Sequence, residues 1–352
     1  MHDAIIVSGW NWESANVPER LALALAYAGR RVLYCENPVS IIRSPARTLT
    51  EVRKGIFVLG LKLLGHRLNA FYGVQQVQTF YLANQILRNA KKLNLREPIF
   101  IYPHGEHSLM LAYEFKRRGF RLIHICMDYE CEQEIAHVKQ SNLTLVIPTR
   151  AFEDLKRSFG GKVQHLPQLW WDGDESSREG FEEPRELASI SRPRLGYLGN
   201  LTGRVSVPLI EEILSKHPDW QFVAFGTKKY LSLPNEHILH WRSQSELAAV
   251  LAGLDIGFMP YDCTDQKNLH CVPLKLFDYF AQGMPVVSTP ILCLKEYNDL
   301  VYVGDTAEKL AQAILLALAE PAVSPKKAKR KAIAHAHSVE KLSKLITIML
   351  DN

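Results

Sequence analysis

The sequence predicts an α/β protein made of two doubly wound, parallel-sheet halves, and three observations predict it. Short apolar runs alternate with helix-length segments along the chain. The alternation stops in a polar, acidic stretch near residue 172 and restarts near residue 194. The length, 352 residues, is too great for one ordinary core and suits two domains of about 150 residues each.

In the first half, residues 4–8 form a compact apolar run suited to a buried parallel strand. A turn over 9–13 leads to a helix over 18–28, with Pro18 at its start and Gly29 as its stop. Strands follow at 31–35, 99–102, 122–126 and 143–147, with helices around 77–93, 108–117 and 151–158. The second half predicts strands at 194–198, 221–225, 256–259 and 286–288. Its helices fall at 208–215, 244–252, 275–281 and 307–318. The expected organisation is a first domain over 1–172, a linker over 173–193 and a second domain over 194–325. A basic helix over 326–352, carrying Lys326, Lys327, Lys329, Arg330 and Lys331, is expected to pack back on the first domain.

Composition narrows the class. Hydrophobic residues make up 47% and charged residues 22%, which excludes a disordered chain. No basic leader precedes residues 4–7, and no apolar run reaches the ~20 residues of a spanning helix. The expectation is a cytoplasmic protein. Cys35, Cys126, Cys131, Cys263, Cys271 and Cys293 form no C-x-x-C pair, so they read as reduced thiols and no metal site is expected. The whole net charge of +5 lies before residue 176. Residues 39–70 carry Arg43, Arg47, Arg53, Lys54, Lys62 and Arg67 against Glu51 alone, interleaved with Ile41, Ile42, Ile56, Phe57, Leu61, Leu63 and Leu64. That mixture suits an anionic membrane surface, here the inner face of the cell membrane; the bland alternative is a solvated face over a buried one. The basic excess lacks an aromatic–basic platform, so nucleic acid is not an expected partner.

The richest stretch runs from Leu239 to Thr289. A strand ends at Pro260-Tyr261, a polar loop follows, and a helix starts near Pro273 and stops at Gly283. That helix carries Lys275 and Asp278 three residues apart, on one face. A helix amino terminus with a lysine in its first turn suits a diphosphate. Asp278 suits ribose hydroxyls, as acids do in dinucleotide folds. Lys275 taken alone would read as a solvated surface residue.

The order of these residues resembles the GT-B-fold glycosyltransferases, in particular the family-four-like enzymes of surface-polysaccharide assembly. Their motif, loosely Pro-x-Lys-Leu-aromatic-Glu-Tyr-x-Ala-x-Gly-x-Pro-Val-Val-x-Thr, is matched from Pro273 to Thr289, with Asp278 in place of the Glu. The pattern Asp-hydrophobic-Gly-hydrophobic-x-Pro-Tyr is matched from Asp255 to Tyr261, and Gly196-Tyr197-Leu198-Gly199 opens the second half, with Arg204 shortly after. The resemblance covers most of 194–315 and the first half in outline. It implies a GT-B fold, two Rossmann-like domains with parallel sheets facing across a cleft. It implies a hexosyltransferase-type enzyme that uses a nucleotide-sugar co-substrate, with no further cofactor and no metal. Lys275 and Arg204 then look like the pair that stabilises the departing nucleoside diphosphate, and Asp278 like the ribose acid. Gly199, Arg242, Tyr261, His270, Val272 and Pro273 complete the expected donor site, Arg242 with Trp241 and Ser243 in the base-binding region. Two departures stand out: His270 occupies a position where many relatives have Glu, and Asn200 one where many have Arg.

The acceptor and a base are expected from the first half. Trp10, Asn11 and Glu13 follow the first strand at its carboxyl end, where doubly wound folds place ligands. Trp10 and Trp12 are candidates to stack on a sugar face. His104, Glu106 and His107 follow the strand ending at Tyr102, and Asp128 follows the strand ending at Cys126. An inverting enzyme needs one such group as general base; Asp128 and His104 are the candidates taken forward. The expected function is transfer of a sugar to a lipid-linked or polysaccharide acceptor in cell-envelope glycan synthesis. The alternatives are a lapsed, non-catalytic relative and a GT-B-type sugar-nucleotide epimerase.

Overall fold

The computed structural model describes residues 2–351 except 15, 41–42, 44–46, 65–71, 106, 129–130, 172–182, 200, 202, 226–232 and 241–245. The chain divides into two compact units, Met1–Leu169 with Val339–Asn352, and Trp170–Ser338.

The first unit opens with β1 (Ala4–Val7), α1 (Val17–Tyr27), β2 (Val32–Cys35), β3 (Val39–Ser40), β4 (Thr50–Arg53), β5 (Ile56–Leu59) and β6 (Lys62–Leu63). It continues with α2 (Tyr72–Lys92), β7 (Ile99–Pro103), α3 (Ser108–Arg117), β8 (Leu122–Cys126), α4 (Cys131–Gln140), β9 (Leu143–Val146), α5 (Thr149–Phe159) and β10 (Val163–His165). Eight strands form one sheet in the order β10-β9-β8-β7-β1-β2-β5-β4. All neighbours pair in parallel except β4 and β5. The inner strands are buried along their whole length because helices cover both faces, which is why they read as unbroken apolar runs. Helix α1 starts where the Asn16 side chain accepts the Glu19 N–H at 2.9 Å, and Gly29 turns the chain at φ +80°.

The basic stretch 39–70 supplies the short strands β3–β6. Its apolar residues Ile56, Leu61 and Leu63 lie in the core of this unit, so the sheet, rather than a lipid-facing stripe, accounts for them; Leu64 is exposed. Ile41 and Ile42 lie outside the described residues. No helix among the described residues is long and apolar enough to cross a membrane.

The second unit carries α6 (Arg185–Ala188), β11 (Arg194–Leu198), α7 (Val207–Lys216), β12 (Gln221–Phe225), β13 (Glu236–Leu239), α8 (Leu247–Ala252) and β14 (Ile256–Met259). Then come α9 (Gln266–Leu269), α10 (Leu274–Ala281), β15 (Val286–Ser288), β16 (Val301–Val303), α11 (Ala307–Leu318) and α12 (Pro325–Ala336). Six strands, all parallel, run in the order β13-β12-β11-β14-β15-β16. Leu187 of α6 is buried in the core of this unit, so the described end of the expected linker is structural.

The tail departs from the single helix expected over 326–352. Its basic part, α12, packs on α10 within the second unit. The chain breaks at His337-Ser338, where Trp170 N–H bonds the His337 carbonyl at 2.9 Å and Ser338 bridges Trp170. A last helix, α13 (Val339–Asp351), packs on α1 in the first unit and places Asp351 on the buried Arg30 at 2.7 Å. The chain therefore ends in a mainly apolar helix on the first unit, and the basic helix stays with the second.

Candidate functional site

Each sheet has one place where the strand order reverses, and that is where open α/β sheets bind ligands. In the second unit β11 and β14 are neighbours although four elements of chain (α7, β12, β13 and α8) separate them, and the crevice lies beyond their carboxyl ends. Gly199 follows β11 and Tyr261 follows β14 at this point.

Three local structures build the site. Gly199 turns the chain at φ +114°, a conformation that side chains rarely adopt, and a Cβ there would come 3.4 Å from the Lys275 amine. The loop carrying Arg204 lies antiparallel against 260–262: Ser206 N–H bonds the Pro260 carbonyl at 2.8 Å, and Asp262 N–H bonds the Arg204 carbonyl at 3.0 Å. Helix α10, capped by Pro273, buries Leu276, Phe277, Asp278, Tyr279 and Phe280, and leaves free backbone N–H groups at its opening turn. Tyr279 pins these parts together. Its hydroxyl accepts the Leu198 N–H and donates to the Gly196 carbonyl, both at 3.0 Å, and its ring fills the space left by Gly257.

Lys275 stands at the centre. Its ammonium lies 3.6 Å from the Tyr197 ring centroid and 5.4 Å from that of Tyr261. Burial pushes this amine down to about 7, and the Arg204 charge pushes the same way, against Cys271 and Asp278. Arg204 donates to Asn268 Oδ1 at 3.3 Å; Asn268 is fully buried and donates in turn to the Asp262 carbonyl at 3.0 Å. Lys275 thus lies against two neutral rings with Asp278 and Cys271 acting on its charge, and Arg204 lies against a buried amide. A dianionic diphosphate would add to the negative charge these two cations meet.

The sign of the pH dependence follows. The unfolded chain binds more protons than the folded one between about 7 and the ordinary lysine value of 10.5, so Lys275 makes folding less favourable as pH falls through that window. A bound diphosphate favours the charged amine, so above about pH 7 binding takes up a proton. Nucleoside diphosphate affinity is expected to fall by up to about tenfold per pH unit there. Calorimetry in two buffers of different ionisation enthalpy reads that proton; Lys275→Met should abolish it, and a flat pH profile in the unaltered chain would refute the assignment.

Most of the donor residues expected from sequence thus surround one point: Gly199, Arg204, Tyr261, Pro273, Lys275 and Asp278, the last one turn along α10 from Lys275 and buried. Val272, half-buried, precedes the helix, and His270, also half-buried, follows α9 with its N–H on the Gln266 carbonyl. Arg242, Trp241, Ser243 and Asn200 lie outside the described residues. To the residues expected from sequence the structure adds Tyr197, Asn268, Cys271 and Tyr279. Tyr197 stands inside the Gly-Tyr-Leu-Gly pattern.

In the first unit the reversal lies between β1 and β7. Trp10 is 41% exposed and Asn11 and Glu13 are exposed. Glu13 adopts φ 70° and pairs with Arg47 at 3.2 Å, whose other nitrogen reaches Glu36 at 3.2 Å. Trp12 is buried edge-on against Tyr34, so it is a core residue rather than a stacking platform. His104 follows β7 and is exposed, and half-buried His107 immediately precedes Ser108, the first residue of α3. Asp128 is half-buried beyond β8, and its carbonyl accepts from Cys126 Sγ at 3.3 Å. Glu106 lies outside the described residues.

Residues 192–320 match the family model "Glycosyl transferases group 1". The match lies within the second unit. A segment of 104 residues is 32% identical to TuaH of Bacillus subtilis (strain 168), named for teichuronic acid biosynthesis as a glycosyltransferase; it covers 27% of this chain and 26% of that relative. The chain therefore matches about a quarter of the length of the curated relative. Over the whole chain, the structure is similar to sucrose-phosphate synthase from Thermosynechococcus elongatus, with a TM-score of 0.71 at 13% identity, covering 100% of this chain and 98% of that one. It is also similar to α,α-trehalose 6-phosphate synthase from Burkholderia multivorans, with a TM-score of 0.67 at 14% identity, covering 100% and 98%. At such identities the likeness shows the fold, and the fold is GT-B.

Proposed function

We propose that the chain is a glycosyltransferase that moves a sugar from a nucleotide-sugar donor to a lipid-linked or polysaccharide acceptor of cell-envelope glycan synthesis. The observation that carries the donor half is the Lys275–Arg204 pair at the β11/β14 reversal, beside the opening turn of α10. As the anomeric carbon leaves its diphosphate oxygen, negative charge grows on that oxygen. Lys275, Arg204 and the helix N–H groups are preorganised to receive it. Asp278 takes the ribose hydroxyls, and Tyr261, His270 and Val272 line the path to the sugar. The acceptor half rests on the exposed Trp10, Asn11 and Glu13, with His104 and Asp128 as proton acceptors. The glycan class is supported by the name of the Bacillus relative, and an anionic membrane enters this reading only as the place where a lipid-linked acceptor is met.

Release of nucleoside diphosphate from nucleotide-sugars, assayed with and without candidate glycan acceptors, tests the reading. Release from one donor, stimulated by acceptor, supports it. A folded chain that releases none from UDP-, GDP-, ADP- or TDP-sugars contradicts it. Asp278→Ala is expected to weaken donor binding by about tenfold while changing kcat far less, because a charge-assisted hydrogen bond to the ribose is lost from ground and transition states alike. Unaltered donor affinity would remove the ribose role.

A further inference from the structure

Helix α2 is 21 residues long and contains no Asp or Glu; its cations, Arg88, Lys91 and Lys92, fall in its second half. At helical spacing along one face stand Val77, Phe80, Asn84, Arg88 and Lys91, so the stripe begins apolar and ends basic. Helix α3, packed beside α2, repeats the order, with Met110 and Tyr113 ahead of Lys116 and Arg117. Val77, Phe80 and Tyr113 are 58%, 54% and 50% exposed. With Met110 they line a groove between the two helices. Arg118 fastens one stripe to the other: it pairs with Glu114 at 2.6 Å, donates to Asn84 Oδ1 at 3.1 Å and lies 5.4 Å from the Phe80 ring centroid. Glu114 also pairs with Arg117 at 3.0 Å. On these two helices and their Arg118 cap, Arg88, Lys91, Lys92, Lys116, Arg117 and Arg118 are therefore set against Glu114 alone.

Cations in the last turn of a helix offset its dipole, which accounts for Lys91, Lys92, Lys116 and Arg117 taken singly. It does not account for the missing acids, nor for two aromatic rings and a valine held in water beside the cations. Isolated apolar side chains on a surface are ordinary; these share one groove and one sign of charge, which marks an interaction surface. The fold gives that surface a direction. Helix α2 leads into β7 and α3 leaves it, so the amino ends of both helices lie at the carboxyl edge of the sheet, the edge of the β1/β7 reversal. The apolar half of the surface belongs to that edge and the basic half to the opposite one.

We propose that the α2–α3 surface docks on an anionic lipid bilayer, with Val77, Phe80 and Tyr113 entering among the headgroups while the lysines and arginines meet lipid phosphates. Exposed rings bordered by cations suit the boundary between acyl chains and headgroups, where each ring is apolar on one side and wet on the other. A second copy of the chain fits the surface less well, because a two-fold contact would set these cations against themselves. The surface is argued from its own chemistry. That it brings a lipid-linked acceptor to the first unit rests on the glycosyl-transfer reading above.

Flotation of the full chain with lipid vesicles, in the absence of substrates, tests the proposal. The chain is expected to float with vesicles of mixed phosphatidylglycerol and phosphatidylcholine, far less with phosphatidylcholine alone, and to be released by high salt. Replacing three α2 cations together, Arg88→Gln, Lys91→Gln and Lys92→Gln, is expected to weaken partitioning by about 100-fold. Phe80→Ser with Tyr113→Ser is expected to weaken it by about tenfold or more. All five side chains are exposed, so both variants should melt as the unaltered chain does. Neutralising Arg43, Arg53 and Lys54 of the 39–70 stretch is expected to cost far less. Equal loss from that change, equal flotation with uncharged vesicles, or unaltered partitioning of the two α2–α3 variants would overturn the proposal. A lipid-free dimer that Phe80→Ser with Tyr113→Ser dissolves would overturn it in favour of a second copy. A chain that floats as expected but releases no nucleoside diphosphate would contradict the glycosyl-transfer reading and support this surface; an active chain that never floats would do the reverse.

Discussion

Lys275→Ala and Arg204→Ala are each expected to lower kcat by about 10²- to 10³-fold, the loss seen when one preorganised donor to developing negative charge is removed. The argument is one of preorganisation. The Lys275 amine is already desolvated between Tyr197 and Tyr261, and its position is shared with a glycine whose missing side chain leaves it room. Nothing need reorganise when the leaving group acquires charge. Donor KM should move less than kcat, because the charge these residues answer grows toward the transition state. Folding should not suffer in Lys275→Ala: a half-buried ammonium that burial disfavours is replaced by a neutral methyl group, so the melting temperature is expected to stay level or rise. Steady-state kinetics beside a thermal melt checks both halves, and unaltered kcat in both variants would remove the diphosphate assignment.

The second large effect is on stability. Glu320→Leu is expected to destabilise the second unit by about 3–5 kcal/mol, the usual cost of leaving a buried charge without its partner. Arg330 is fully buried and makes a two-pronged pair with Glu320 at 2.7 and 2.8 Å. Its remaining donors reach the Leu300 carbonyl at 2.8 Å and the Gly283 carbonyl at 3.3 Å. The guanidinium thus fastens α12 to the turn that ends α10, the helix on which the donor site is built. Burial pushes the Glu320 carboxyl up, but the Arg330 bonds outweigh it and hold it below the ordinary value of 4.5. The pair's contribution is therefore present above that value and fades as pH falls through the lowered one. Chemical denaturation of Glu320→Leu checks the magnitude; a loss below about 1 kcal/mol would show that the pair contributes no more than a surface ion pair. The double replacement Glu320→Leu with Arg330→Met should recover much of the loss, since an apolar pair leaves no charge unmet.

The parallel sheets and the donor helix were legible in the sequence for a physical reason. Strands buried on both faces must be apolar throughout, and a helix that ends at Gly283 before a Pro285-led strand announces its own limits. The Lys275 and Asp278 placement follows from helical spacing alone. What could not be read depends on contacts between distant segments. Tyr279 looks like any core aromatic until its hydroxyl is seen between two backbone groups of β11. Asn268 belongs to a polar stretch of sequence that gives no sign that this residue will be fully buried beside Arg204. The His124–Glu134 pair joins the middle of a strand to the following helix, and a histidine within an apolar run reads as an ordinary core residue. The strands β3–β6 are hidden in the sequence by their interleaved charges, while Ile56, Leu61 and Leu63 are buried. The tail reads as one helix because no glycine or proline marks its break; at the break the chain pairs with Trp170, far away in sequence.

The central claim is that the second unit holds a nucleoside diphosphate through Lys275. Isothermal titration of UDP, GDP, ADP and TDP into the unaltered chain and into Lys275→Ala, at neutral pH, tests it most directly. The expected result is measurable binding of at least one nucleotide to the unaltered chain, weakened about tenfold or more in the variant, as loss of a charge-assisted contact requires. Equal binding to both proteins, or none to a folded unaltered chain, would contradict it.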